Sequence, residues 1–197
     1  MKKILFVVNS NKQTSLVSKI QSHKKNWNVE QTSKQIDLET AKKFDSIISF
    51  GYKYIIPKEI INNLNYPIIN LHISFLPFNK GAHPNFWSFA ENTPSGISIH
   101  EIDHGIDTGK IIYQKQIDFE LLKNKETLFF SKTYRILINE LENLFLSNIE
   151  DLINQNFESI EQVGKGSYHN KKDLPILLKN WDQNIYQTIL KFEELKE

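Results

Sequence analysis

The stretch FDSIISFGYKYIIPKEIINNLNYPIINLHI, residues 44–73, decides the fold, because it contains a strand, a helix and a second strand in succession. Residues 44–50 are an apolar run closed by Gly51, and residues 66–73 are a second run of the same kind. Between them a helix begins with Pro57 in its first turn, where proline is well tolerated. Two short apolar runs separated by a helix are typical of neighbouring strands in a parallel sheet with a right-handed crossover.

The residues before this stretch repeat the alternation. KILFVV (3–8) predicts a buried strand, residues 14–23 a helix, residues 27–32 a second strand, and Asp37 the cap of a short helix. Strands that alternate with helices indicate an α/β architecture. We therefore predict a Rossmann-like, three-layer fold with helices on both faces of the sheet.

The residues after the stretch make the sheet mixed. After a helix over residues 85–91, ISIHEI (97–102) and KIIYQKQIDF (110–119) are joined by the loop DHGIDTG. Two strands linked by so few residues pair antiparallel, because a parallel connection needs a crossover. The sheet is therefore expected to be mostly parallel with an antiparallel part.

The carboxyl-terminal third is expected to be mainly helical. Residues 125–154 predict one long helix with a single apolar stripe, and an amphipathic helix ends the chain. Between them lie a loop at residues 164–166 and a turn at Pro175. We predict a catalytic domain over residues 1–155 and a short appendage over residues 156–197 that packs on it.

Composition excludes several classes of function. The chain has 197 residues, 24 Lys and Arg against 23 Asp and Glu, and no cysteine. Disulfides, thiolate metal sites and cysteine nucleophiles are therefore excluded. Arg135 is the single arginine, which argues against a nucleic-acid surface. No segment is apolar enough to span a membrane, and MKKILFVVNS is too short an apolar run for a secretory leader, so we expect a cytoplasmic protein.

The first loop, VVNSNKQTS (7–15), contains no glycine. A dinucleotide site needs glycines there so that the backbone can approach the pyrophosphate, and a nicotinamide or flavin dinucleotide is therefore not expected. Asn9 remains available to cap the following helix or to bind a smaller group.

A group of polar residues follows the last strand of the opening stretch. Asn70 and His72 are two residues apart, so both point to one side of the sheet at its carboxyl edge, where open α/β sheets bind ligands. Asp103 and Asp107 lie in the short DHGIDTG loop, from which a carboxylate can reach an imidazole. An amide donor, an imidazole and a carboxylate together suit stabilisation of an oxyanion and transfer of a proton.

Spacing alone leaves other interpretations open. A histidine at a strand end is more often a hydrogen-bonded structural residue than a catalytic one. A metal site built from His72, His83, His100 and His104 is less favoured, because no HxH or HxxxH pair supplies two ligands from one element.

Longer motifs carry a resemblance to a known family. INLHISFLPFNKGAHP (69–84) and GISIHEIDHGIDTGKII (96–112) closely resemble the folate-dependent formyltransferases, whose hallmark is N-x-H-x-S-L-L-P followed by G-V-T-x-H-x-x-D-x-x-x-D-x-G. FGYKYIIP (50–57) is similar to the family's pterin-binding turn. Phe75 replaces the usual leucine. The similarity covers residues 44–140, about half of the chain.

The resemblance implies a reaction and its residues. Asn70, His72 and Asp107 match the family's catalytic trio, and the reaction would move a formyl group from N10-formyltetrahydrofolate to a primary amine without a metal. The folate's pterin would lie against the main chain of two turns. These are Lys53, Tyr54 and Ile55, and Ile102, Asp103 and His104.

Three subfamilies of these formyltransferases compete for the resemblance, and they differ in the acceptor of the formyl group. The tail is too short and too acidic to be the RNA-binding domain of methionyl-tRNA formyltransferases. The first loop also lacks the glycine-containing phosphate loop of glycinamide ribonucleotide formyltransferases. We therefore expect a nucleotide-linked aminodeoxysugar used in surface glycans such as lipopolysaccharide O-antigen. Glycinamide ribonucleotide as the acceptor, or a folate- or nucleotide-binding module without turnover, is kept open. The sequence does not identify the nucleotide, the sugar or the carbon that bears the amine.

Residues near the catalytic motif are candidates for binding this acceptor. Aromatic side chains suit a base or sugar ring, and lysines suit a diphosphate. The same aromatic residues also suit helix packing, and the lysines also suit a solvated turn. The predicted acceptor contacts are Asn9, Lys80, His83, Asn85, Trp87, Tyr168 and Lys171. Residues 125–154 and the final helix are both candidates for a homodimer interface.

Overall fold

A computed structural model describes residues 1–9, 15–119 and 127–195. Its strands are β1 (Lys3–Val8), β2 (Asn28–Thr32), β3 (Ser46–Phe50), β4 (Ile69–His72), β5 (Lys80–Gly81), β6 (Gly96–Glu101), β7 (Ile111–Gln116) and β8 (Tyr168–His169). Its helices are α1 (Ser15–His23), α2 (Leu38–Ala41), α3 (Lys58–Asn63), α4 (Pro84–Ala90), α5 (Phe130–Ser147), α6 (Ile149–Asn154) and α7 (Ile185–Glu194). A short 3-10 helix spans Lys171–Asp173.

Six strands form one sheet in the order β2-β1-β3-β4-β6-β7. The first four are paired parallel. Strand β6 runs antiparallel to β4, and the N–H of Ile102 donates to the carbonyl of Ile68 where they meet. Strand β7 runs antiparallel to β6, and the N–H of Glu101 donates to the carbonyl of Lys110. The predicted α/β fold with a mixed, mostly parallel sheet is confirmed.

The chain divides into two compact units. Unit one comprises residues 1–72, 99–113 and 142–161, and unit two comprises residues 73–98, 114–141 and 162–197. This division differs from the predicted boundary at residue 155, which stays a prediction.

Unit one is organised around the parallel strands. Every residue of β1 after Lys3 is buried, as its continuous apolar run predicts. A core cluster of unit one joins β1 and β3 to residues of the crossover segments, and its members are Leu5, Val7, Ile36, Ala41, Phe44, Ile47, Ile56, Ile60 and Ile68. The predicted cap of α2 is present, since the carboxylate of Asp37 accepts the N–H of Thr40.

Unit two has an aromatic core. Phe86 and Trp87 of α4 pack with Phe130 of α5 and Ile185 of α7. The rings of Phe86 and Trp87 meet edge to face, with centroids 5.0 Å apart. This geometry suits the quadrupoles of two aromatic rings.

The prediction of one helix over residues 125–154 is wrong. Helix α5 begins at Phe130, because the residues before it pair with the start of α7: Leu128 accepts the N–H of Ile185 at 2.9 Å. The helix then breaks at Asn148, whose side chain donates to the carbonyl of Leu144 and whose backbone leaves the helical region. Asparagine side chains compete in this way with backbone hydrogen bonds. Residues 125 and 126 lie outside the described residues.

The two-stranded parallel sheet of β5 and β8 was not predicted. Gly81 pairs with His169 so closely that a side chain at position 81 would overlap the carbonyl oxygen of His169. A strand of two residues shows no alternation, and so the sequence pattern does not reveal it. Among the described residues, no helix combines the length and the apolar character needed to cross a membrane.

Tyr66 provides a test of the packing in unit one. Its hydroxyl donates to the carbonyl of Ala41 at 3.1 Å, and burial, with a smaller contribution from Asp45, raises its pKa to about 12. We expect Tyr66→Phe to lower the free energy of unfolding at pH 7 by about 1 kcal/mol, because one hydrogen bond is lost. Between pH 10 and 12 the unfolded chain ionises Tyr66 before the folded chain does, so the wild type loses stability that the variant keeps.

The measurement is urea unfolding at pH 7, 9 and 11. Tyr54→Phe changes an exposed tyrosine of the same unit and serves as the matched control. Identical slopes of stability against pH for the wild type and Tyr66→Phe would contradict the assignment.

Candidate active site

Three polar side chains meet at the end of β4. Asn70 and His72 lie two residues apart on this strand and so point to the same side of the sheet. Asp107 approaches both, with Oδ2 3.6 Å from Nε2 of His72 and Oδ1 3.2 Å from Nδ2 of Asn70. The side chains of His72 and Asp107 are 11% and 13% exposed. The structure thus brings the three predicted catalytic residues together.

The loop between β6 and β7 holds Asp107 in place. Asp107 has a φ of 53°, in the left-handed region, which aspartate tolerates better than most residues. Upstream, Oδ1 of Asp103 accepts the N–H of Gly105 at 2.9 Å and the hydroxyl of Thr108 at 2.6 Å. Gly109 closes the loop where a side chain would overlap the carbonyl oxygen of Glu101. The loop is therefore fixed by contacts of its own residues.

A fourth residue of this cluster, His100, was missed as a site residue. Its Nε2 lies 3.0 Å from Nδ2 of Asn70 and 3.5 Å from Oδ1 of Asp107. The bond between Ile102 and Ile68 sets the register of β6 on β4, and this register puts His100 opposite Asn70. A usable signal was present, because a polar residue interrupts the buried strand ISIHEI, but the partner of that strand was not evident from the sequence.

The predicted folate-contact turns both lie in unit one. Ile102 packs on the core cluster that contains Ile56, the residue after the first turn. In the second turn, the His104 imidazole lies 2.9 Å from the amide oxygen of Asn62 on α3. Tyr54 and Ile55 are 37% and 78% exposed. Lys53 places its ammonium group 4.8 Å from the centre of the Tyr54 ring.

Four of the predicted acceptor contacts lie around the small sheet of unit two. Lys80 pairs with Tyr168 across β5 and β8. Lys171, in the 3-10 helix that follows β8, acts electrostatically on His83. The ring of His83 also lies 5.4 Å from that of Trp181, which was not predicted as a contact. Asn9 belongs to unit one and directly follows β1.

The other two predicted contacts have packing roles in unit two. Asn85 is buried, and its amide bonds to the carbonyl of Phe130 and the hydroxyl of Thr133. Trp87 stacks on His169 with ring centroids 3.9 Å apart and planes 7° apart. Binding of the acceptor by Asn85 or Trp87 stays a prediction, and both side chains already have partners inside the protein.

The cluster at β4 can carry out proton transfer and stabilise negative charge. An imidazole oriented by a carboxylate is suited to move a proton, and an amide nitrogen beside it is suited to meet an oxyanion. Within residues 1–9, 15–119 and 127–195, no three histidine or acidic side chains are grouped so as to hold a metal ion.

Comparison with known proteins identifies the family to which the chain is similar. The model of the family described as formyl transferase matches residues 2–131. The formyltransferase PseJ from Anoxybacillus kamchatkensis, solved in complex with UDP-4,6-dideoxy-4-formamido-L-AltNAc and tetrahydrofolate, is 36% identical. It superposes with a TM-score of 0.82 over 95% of this chain and 97% of that chain.

Two curated relatives match over shorter parts of their lengths. The methionyl-tRNA formyltransferase of Prochlorococcus marinus (strain MIT 9515) is 31% identical over 74% of this chain and 46% of its own. The dTDP-4-amino-4,6-dideoxyglucose formyltransferase of Mycobacterium bovis is 26% identical over 68% of this chain and 55% of its own. The chain therefore spans about half the length of these curated relatives.

The pair of His83 and Lys171 offers a test within unit two. Burial lowers the pKa of the His83 imidazole, and the positive charge of Lys171 lowers it further. We expect Lys171→Gln to raise the pKa of His83, measured by NMR titration of its ring protons, while burial keeps it below the ordinary value. Lys172→Gln, which removes the neighbouring charge, is the matched control. Equal changes in both variants would contradict a specific contribution of Lys171.

Proposed function

Because the chain belongs to the formyl transferase family, we propose that it moves a formyl group from N10-formyltetrahydrofolate to the primary amine of a nucleotide-linked aminosugar. One observation carries the reaction: Asp107 lies within 3.6 Å of His72 and 3.2 Å of Asn70. This places a proton acceptor, an imidazole and an amide donor around one point.

We assign complementary roles to the three side chains. As the amine attacks the formyl carbon, a C–N bond forms and negative charge develops on the formyl oxygen. Asn70 and protonated His72 stabilise this charge with hydrogen bonds. Asp107 takes the proton that the amine loses, directly or through a water, and a proton returns to the folate nitrogen as its bond to the formyl carbon breaks.

The amide of Asn70 supports this sequence of proton transfers. In the structure its nitrogen faces both His100 and Asp107. A carboxylate that has gained a proton is a weaker acceptor than its anion. The hydrogen that Asn70 directs at Asp107 therefore becomes available to the oxyanion as the amine loses its proton.

The exposure of the two predicted turns of unit one supports their assignment to the folate donor. Tyr54 and Ile55 of the first turn are exposed, as is Ile106 in the loop that carries Asp107. A flat heterocycle buries such surface and uses main-chain groups for its polar edge. We assign the main chain of residues 53–55 and 102–104 to the pterin.

An aminosugar nucleotide is the acceptor with the strongest support. PseJ was solved with a UDP-linked formamido sugar, and it matches this chain over nearly the whole of both lengths. We assign recognition of the nucleotide sugar to Asn9, Lys80, His83, Tyr168 and Lys171, with lysines for the diphosphate. Asn85 and Trp87 stay candidates for binding the acceptor, which requires their side chains to move slightly away from their present partners.

Methionyl-tRNA formyltransferases form a competing branch, because several relatives that match this chain carry that name. We rank this branch lower, since the matches cover less than half of those proteins. Glycinamide ribonucleotide as the acceptor, and a binding module without turnover, also rank below the aminosugar nucleotide.

We also propose the wider setting of the reaction. The formylated sugar would enter a surface glycan such as O-antigen, and the reaction would take place in the cytoplasm. A homodimer is proposed as the working assembly. Light scattering of the purified protein tests the assembly directly.

The first experiment follows the conversion of N10-formyltetrahydrofolate to tetrahydrofolate by absorbance. The acceptors are 3- and 4-amino-dideoxysugar nucleotides carrying UDP or dTDP, glycinamide ribonucleotide and charged initiator tRNA. We expect turnover with one aminosugar nucleotide. Turnover with glycinamide ribonucleotide or the tRNA alone would overturn the acceptor but keep the reaction, and no turnover with any acceptor would favour the inactive module.

The catalytic assignment is tested by substitution. We expect His72→Ala and Asn70→Ala to lower kcat by at least about a hundredfold, the range for loss of an acid–base group or an oxyanion donor, with a smaller change in folate affinity. His23→Ala, an exposed histidine of α1, is the control and should keep full activity. Unchanged kcat in both site variants would refute the assignment.

A further inference from the structure

We propose that His100 is a positioning residue, which acts as a neutral ring protonated on Nδ1 and fixes which hydrogen of Asn70 faces the reacting groups. This role rests on the proposed formyl transfer, while the protonation state of the ring is a property of the protein alone.

The tautomer of His100 follows from its own backbone. Nδ1 of His100 lies 2.7 Å from the carbonyl oxygen of Glu101. A carbonyl oxygen can only accept, so Nδ1 must carry the hydrogen. Nε2 of His100 faces the amide nitrogen of Asn70 at 3.0 Å, and because that nitrogen can only donate, we assign a lone pair to Nε2 and hence the neutral ring.

Two acceptors hold the Asn70 amide in this orientation. Nε2 of His100 lies 3.0 Å from Nδ2 of Asn70, and Oδ1 of Asp107 lies 3.2 Å from the same nitrogen. Both neighbours are acceptors, so the NH2 group must face them. The reverse orientation would set the amide oxygen against a lone pair and a carboxylate. One amide hydrogen is therefore held by His100, and the second points to Asp107.

As a consequence, the two acceptors of Asn70 behave differently during the proposed reaction. His100 is 1% exposed and takes no part in the proposed proton transfer, so its hydrogen bond with Asn70 is kept while that of Asp107 changes. Asp107 exchanges a proton with the amine and releases the second hydrogen of Asn70 when it does so. Without the fixed acceptor the Asn70 amide is free to rotate, and its donor is no longer aimed at the oxyanion.

A matched pair of variants separates positioning from packing. His100→Gln puts an amide oxygen near the place of Nε2 and can still accept from Asn70. His100→Asn reproduces the donor near the place of Nδ1 but offers Asn70 no acceptor. We expect His100→Asn to lower kcat about tenfold, the effect of one hydrogen bond, with KM for both substrates within about twofold, and His100→Gln to recover most of it.

The wild-type protein gives a readout that needs no activity. Long-range 1H–15N spectra at pH 8, with the His100 signals assigned by their loss in His100→Gln, should show a neutral ring protonated on Nδ1. A ring protonated on Nε2, or on both nitrogens, would overturn the proposal even if formyl transfer is confirmed.

The kinetic outcomes are equally decisive. Equal kcat in His100→Gln and His100→Asn would reduce His100 to a packing residue. If a variant fails to fold, as judged by its thermal melt, the wild-type spectra still decide the tautomer. If the wild type transfers no formyl group, the proposed function fails, and the spectra alone then report on the hydrogen-bond network.

Discussion

The carboxylate of Asp107 is the point on which the site depends. An aspartate held near two histidines and an amide costs free energy unless each neighbour is placed to compensate it. Asn70 supplies a hydrogen from β4, and His72 supplies an imidazole two residues further on the same strand. Asp107 itself lies in the loop between β6 and β7, and the hydrogen bonds that Asp103 accepts from Gly105 and Thr108 hold this loop in its conformation.

The proposed catalytic cluster and the proposed acceptor contacts come from different parts of the chain. The cluster lies entirely in unit one, at the ends of β4 and β6 of the large sheet and in the loop that follows β6. Most of the residues assigned to the nucleotide sugar surround the two-stranded sheet and the 3-10 helix of unit two. The family match over residues 2–131 contains the whole cluster. The proposed chemistry therefore falls in the part of the chain that the family shares, and we assign the choice of acceptor to elements such as β8 that follow it.

Several features were readable in the sequence because they depend on near neighbours. The apolar run of β1, the cap at Asp37 and the crossover helix after Pro57 are decided within a few residues, and the structure has all three. The break at Asn148 and the start of α5 at Phe130 could not be predicted from the sequence. Each depends on a competing hydrogen bond, and the pairing of Leu128 with Ile185 joins residues 57 positions apart.

By itself the sequence determined the alternation of strands and helices in the parallel part of the sheet, the family, and Asn70, His72 and Asp107 as candidate site residues, because motifs and periodicities are local properties. The tertiary structure decided that His100 belongs to the same cluster, since only the register of β6 on β4 places it opposite Asn70. It also gave Asn85 and Trp87 partners in the interior of unit two. Those contacts join residues far apart in the chain, and no spacing along the sequence encodes them.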